Sequence, residues 1–254
     1  MMDDHGFVSR RMVGPALGVI TTLVLWELVG QSHTFGAVWP PLTAVLRAAV
    51  IESAGREVLL RGTAATVPEA ARGLVAGLLL GSSLALTARM VRVLARGLAQ
   101  LAVLVQAVPV IAITPFLLTT VDRGAIPSTL AAVGALFASF VSVTAGLSST
   151  SVLHRDLFRV FGAGRFARLR HLDGPACVPY FLEGLRFAIP GAMVGAIVGE
   201  WFEAAHGLGV VMVQTMRSGD MQMLLGTALM ASSVSLAAYG AVATAERFSR
   251  WELA

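Results

Sequence analysis

The chain has 254 residues, of which 56% are hydrophobic and only 13% charged, with a mean hydropathy of +0.76. Soluble domains carry about 25% charged residues, so this composition excludes an ordinary soluble fold, a disordered chain and a disulfide scaffold. The net charge of +4 rests entirely on arginine, with no lysine and a single cysteine, Cys177. No basic run is interleaved with aromatics, which argues against nucleic acid, and one cysteine makes no internal disulfide.

A bilayer-spanning helix needs about 20 mostly apolar residues. Six stretches meet this: Val13–Gly30, Gly73–Met90, Leu98–Thr120, Ile126–Leu147, Phe181–Phe202 and Leu224–Thr244. They are continuous runs of Leu, Ala, Val and Gly without period-2 alternation, so they read as helices. Arg10 and Arg11 precede the first run as they would in a signal peptide. No small-residue cleavage site follows promptly, and the run reads as a retained anchor. With the N-terminus inside, the inner segments hold Arg10, Arg11, Arg89, Arg92, Arg96, Arg155, Arg159, Arg165, Arg168, Arg170, Arg247 and Arg250. The outer ones hold fewer: Arg47, Arg56, Arg61, Arg123 and Arg217. This bias places both termini in the cytoplasm. The outer connection Gly30–Glu69 carries Pro40-Pro41, a helix stop, and then a short amphipathic helix over Leu42–Ile51. No repeat or linker divides the chain, and residues 1–254 read as one membrane domain.

Several buried-site candidates lie on the spans. Pro109 and Pro115 fall inside the third one, where proline frees backbone carbonyls; either a path-lining kink or a packing kink fits. Glu183 and Arg186 share a helix face and can pair. Glu200, toward the end of the fifth span, has two readings: it faces an aqueous path, or it sits beside Trp201 in an aromatic belt. Glu27 beside Trp26 reads as interfacial. Gly191, Gly195 and Gly199 form a small-residue ridge for close packing, within the chain or between two copies. Met212, Met216, Met221 and Met223 read as adaptable packing. The five histidines (His5, His33, His154, His171 and His206) show no ligand spacing, so no metal site is expected. No nucleophile elbow or acid pair points to catalysis.

The inner connection, residues 148–180, is the informative one. Asp156–Phe161 can form a short helix with an acid in its first turn. Gly162-Ala163-Gly164 is a break, and Arg165–Leu172 a second short helix with Phe166 and Leu169 on one face. Gly174-Pro175 and Pro179 then end it. The result is a helix–turn–helix at the inner membrane surface whose apolar knobs fit a groove on a soluble partner.

This connection resembles the EAA loop of binding-protein-dependent ABC importer permeases. Asp156-Leu157-Phe158 occupies the E-A-A positions, Gly162 the glycine, Leu172 the isoleucine and Gly174-Pro175 the L-P pair. The spacing matches while several identities differ. Phe161-Gly162-Ala163, Gly184-Leu185-Arg186, Gly199-Glu200, Gly207-Leu208-Gly209 and Trp39-Pro40-Pro41 resemble elements of the nitrate, sulfonate and taurine subfamily. The resemblance implies an all-α integral membrane protein of about six transmembrane helices with the type I ABC importer permease (MetI-like) architecture. It implies a bacterial inner-membrane location and a path for a small organic solute or anion. Its partners would be two ABC ATPase subunits, a second permease copy, an extracytoplasmic solute-binding protein and the lipid bilayer. Asp156, Phe158, Gly162, Ala163, Gly164, Leu172 and Pro175 would couple the loop to the ATPase, and Glu200, Pro109 and Pro115 would line the path. The chain lacks GxxxxGK[ST], so it has no phosphate cradle. It reads as a non-enzymatic subunit without a cofactor, the ATP being bound by its partner. A secondary transporter is the alternative; it predicts inverted repeats, which the sequence does not show.

Overall fold

The computed structural model describes residues 5–32 and 34–251, and among these every regular element is helical. His33 lies outside the described residues, as do the side chains of His5, Arg10, Arg11, Arg92, Glu203, Arg247 and Arg250. Two compact units divide the chain: Met1–Leu60 with Met212–Leu229, and Arg61–Val211 with Met230–Ala254.

In the smaller unit, α1 (His5–Gln31) leads through a 3₁₀ turn to α2 (Leu42–Leu46), which a π turn over Arg47–Ile51 extends. The chain reverses tightly here: a side chain on Gly30 would collide with the Pro41 backbone. Trp26 donates from Nε1 to the Pro40 carbonyl at 3.1 Å, and its ring lies 5.6 Å from that of Trp39. The short helix after Pro40-Pro41 is therefore present. Glu27 is more than interfacial. Its Oε2 accepts from the Thr43 N–H at 3.0 Å and its Oε1 from the Thr43 hydroxyl at 2.7 Å. It caps α2 across sixteen residues of sequence, satisfying an N-terminal N–H that proline at the N-cap cannot serve.

Among the described residues, four helices are long and apolar enough to cross a membrane: Ser53–Met90, Arg123–Ser148, Arg165–Phe202 and Met221–Glu246. α3 (Ser53–Met90) has 38 residues, about 57 Å at 1.5 Å per residue, so the predicted span Gly73–Met90 is only its second half. The expected outer connection is helical from Ser53 onward, and the helix continues through Gly55, Gly62 and Pro68. The third predicted span, Leu98–Thr120, is not one rod. It is α4 (Arg92–Ala107) and α5 (Val110–Thr120), bent by 100°. Pro109 causes the break: it lacks an N–H and drives Val108 out of the helical region, to φ −78°, ψ 123°.

In the larger unit α6 (Ile126–Ser148) is the central rod, packed chiefly against α9 (Gly174–Glu203). Large residues do not drive this packing, since lipid tails are as apolar as leucine; small residues that let backbones approach do. On α9, a Cβ at Gly191 would meet the Gly134 carbonyl oxygen at 2.6 Å, and one at Gly199 the Pro127 Cα at 2.5 Å. The ridge therefore serves packing within the chain. A second ridge, Gly73, Gly77 and Gly81 on α3, lies against Ala131, Ala135 and Ser139 of the same rod. Some leucines point outward; Leu79 and Leu80, on α3, are 65% and 54% exposed. Leu117, Ile126 and Leu130 form the apolar core near one end of α6. Phe140, Val143, Leu147, Ala85, Ala102 and Cys177 form that near the other. Gly195→Leu is expected to lower the thermal unfolding midpoint of the purified protein by several degrees. Its Cβ would strike the Leu130 carbonyl and lie 2.8 Å from the Ala131 Cα, and overpacking costs about 1–3 kcal/mol or more. A wild-type midpoint would refute this packing.

Candidate functional site

The connection between α6 and α9 forms a helical elbow. α7 (Val152–Val160) begins earlier than predicted, because Ser151 caps it by accepting from the His154 N–H at 3.3 Å. Asp156 therefore sits mid-helix rather than in the first turn, exposed and paired with Arg159 at 3.1 Å. α7 ends in a Schellman turn: the Ala163 N–H bonds the Phe158 carbonyl at 2.9 Å and the Gly162 N–H bonds the Arg159 carbonyl at 3.0 Å. Gly162 takes φ +71°, and a Cβ there would touch nothing within 4 Å. The demand for glycine is thus conformational, not spatial.

α8 (Arg165–Arg168) does not end at Gly174-Pro175 as predicted. A π turn over Leu169–Asp173 carries it into α9, with the Gly174 N–H reaching the Leu169 carbonyl. Pro175 occupies the first turn of α9, where its missing N–H costs little. Phe158, Ala163 and Leu172 are half-buried; Gly164 and Pro175 are exposed. Phe166 and Leu169 part company. Leu169 packs against the core cluster that contains Phe140, whereas Phe166 is 68% and Phe161 81% exposed. The elbow so presents two aromatic rings outward.

Asp173 fastens this elbow. It is buried, accepts from Arg89 of α3 at 2.6 Å and from the Thr150 hydroxyl at 3.1 Å, and lies 3.5 Å from Arg168. Arg155 of α7 in turn binds the carbonyls of Ser148, at 2.8 Å, and Thr150, which the end of α6 leaves without helical partners. One charged network thus joins α3, α6, α7 and the π turn. Arg186 does not pair with Glu183; it bonds Glu246 at 2.7 Å and lies 5.8 Å from the Tyr239 ring.

At the other end of α9, Glu200 is 3% exposed. Its Oε2 accepts from the Gly209 N–H at 2.7 Å, while the Thr66 hydroxyl accepts from the Leu208 N–H at 2.8 Å. These bonds cap α10 (Leu208–Ser218) from α9 and α3. The carboxylate packs against Gly207, at φ +140°, where any side chain would collide with it. Glu200 also lines a cleft of about 510 Å³. Pro109 and Pro115 are exposed and do not line that cleft, so the three residues read as path-lining are not brought together.

The model of the binding-protein-dependent transport system inner membrane component family matches residues 73–249. The chain belongs to this family. The permease is 30% identical over 233 residues to a Haemophilus influenzae protein named "Probable ABC transporter permease protein", covering 90% of this chain and 93% of that one. It is 30% identical to the formylaminopyrimidine transport permease protein of Halalkalibacterium halodurans (79% and 80% covered). It is 25% identical to the riboflavin transport system permease protein of Chloroflexus aurantiacus (96% and 93% covered). The permease is thus a multi-pass membrane subunit of an ABC transporter, a class that works with ATPase and binding-protein partners. Sequence reasoning missed the Asp173 network and the capping roles of Glu27 and Glu200. The signal available for each cap was an acid at a helix end, then a Pro- or Gly-containing turn and a new helix.

Proposed function

We propose that this permease is the translocation subunit of an importer in the bacterial inner membrane, with both termini and residues 148–180 in the cytoplasm. Two permease copies form the path, two ATPase subunits grip the elbows, and a solute-binding protein delivers from outside. The observation that carries this reading is the elbow itself: a glycine-fixed turn with Phe161 and Phe166 exposed, tied by Asp173 to a spanning helix. Asp156, Phe158, Gly162, Ala163, Gly164, Leu172 and Pro175 build the grip. The permease supplies no phosphate chemistry, having no lysine for a phosphate-binding loop; hydrolysis belongs to the partner.

The solute is a small organic molecule or anion. The sequence motifs suggest an anion of the nitrate, sulfonate or taurine kind; two relatives are named for formylaminopyrimidine and riboflavin, which favours a nitrogen heterocycle. Reconstitution in proteoliposomes tests the reading. Uptake should require the ATPase, ATP and the binding protein, whereas uptake driven by an ion gradient alone would make this a secondary transporter. Phe161→Glu should reduce ATPase recovery in co-purification about tenfold or more, as expected for a charge placed at an aromatic anchor; unchanged recovery would remove the ring from the interface.

A further inference from the structure

Two carboxylate oxygens beside one cleft have no donor. Oε1 of Glu200 and Oε2 of Glu69 are buried without a hydrogen-bond partner, and both residues line the cleft at the end of α9. The other oxygen of each is engaged: Glu200 Oε2 with the Gly209 N–H, at 2.7 Å, and Glu69 Oε1 with Arg72, at 3.1 Å. The nearby Thr66 hydroxyl is placed to donate to the Gly62 carbonyl at 3.0 Å. Buried acceptors are normally satisfied, and leaving one unmade is costly. Two unmet acceptors at the edge of one cleft are an arrangement suited to receive N–H groups from outside the chain. Alanines at 64, 65, 204 and 205 form much of the remaining wall, leaving room that larger side chains would fill.

Position agrees with this chemistry. Glu200 stands 26 residues beyond Gly174 on one continuous helix, about 39 Å at 1.5 Å per residue. That exceeds the roughly 30 Å hydrocarbon core. The cleft therefore lies at the membrane face opposite the elbow, the face from which an importer loads.

We infer that this cleft is a solute subsite in which Glu69 and Glu200 accept hydrogen bonds from an amino-substituted nitrogen heterocycle. The inference rests on the import reading above and specifies its solute. Of the basic residues in the cleft wall, Arg72 is paired with Glu69 and Arg123 is also engaged, which leaves His206; a donor-free anion beside two carboxylates therefore gains less there than a hydrogen-bond donor does.

Equilibrium dialysis on the full-length permease in nanodiscs, without binding protein, tests it with two probes: formylaminopyrimidine and methanesulfonate. Wild type should bind the first and not the second. Glu69→Gln and Glu200→Gln should each weaken binding about tenfold or more, because each amide can turn an N–H toward the cleft where an acceptor stood. Glu200→Gln keeps a carbonyl for Gly209, and its melting temperature reports that the fold is intact. Equal binding by the variants, preference for methanesulfonate, or no binding of formylaminopyrimidine to wild type would overturn the inference. ATPase recovery, scored on the same preparations, judges the import reading separately: lost recovery with retained probe binding contradicts that reading alone.

Discussion

Gly162→Val should detach the ATPase from a permease whose spanning helices remain folded. Gly162 holds φ +71°, and L side chains in that region cost about 1–2 kcal/mol, with β-branched residues least tolerant. Space plays no part, since a Cβ there meets nothing within 4 Å. A cost of about 1.4 kcal/mol lowers the ratio of formed to unformed turn roughly tenfold, and the affinity of any partner that needs the turn formed falls in proportion to the formed fraction. The residues at this position should therefore rank Gly, Asn, Ala, Val in decreasing ATPase recovery, asparagine being the non-glycine residue that best tolerates this conformation. Wild-type recovery with Gly162→Val would mean that the partner does not read the Schellman turn.

Asp173→Ala should be the most destabilising single change in the elbow. It leaves Arg89 and Arg168 without their shared counter-charge and Thr150 without an acceptor. Removing one partner of a buried ion pair costs about 3–5 kcal/mol. The lower end, about 3 kcal/mol, is expected here because the arginine side chains remain 23% and 21% exposed. Asp173→Asn should fall between, keeping a carbonyl for Thr150 while losing the charge. The double variant Arg89→Met with Asp173→Leu should recover part of the lost stability, since apolar replacement of a buried pair is often neutral. If that double variant melts like wild type yet couples ATP hydrolysis to uptake poorly, the network transmits motion as well as holding the elbow. A melting point within about a degree of wild type for Asp173→Ala would show that the network holds nothing.

Much of this molecule was legible in its sequence for local reasons. Apolar run length marked the four helices long enough to cross a membrane, but it also marked the first run, whose apolar part Leu17–Gln31 is shorter, and the third, which is bent; Gly162-Ala163-Gly164 marked the elbow because the residues that permit a left-handed turn are few. What was not legible depended on partners distant in sequence. Glu200 looked like a path residue or a belt residue, and neither reading revealed that it also caps a helix nine residues on. Arg186 lay one helical turn from Glu183, and it pairs with Glu246 instead. Nothing local distinguishes Asp173 from any other loop acid; its partner Arg89 lies 84 residues away. The break between α4 and α5 is different. Val108-Pro109 carried the signal, but an unbroken apolar run outweighed it.

A photo-crosslinking residue in place of Phe161 gives the most direct test of the elbow's role, with the complex assembled in native membranes. A covalent adduct to the ATPase subunit is expected, reduced when Gly162→Val is combined with it. Adducts to lipid or to the extracytoplasmic binding protein, with none to the ATPase, would contradict it.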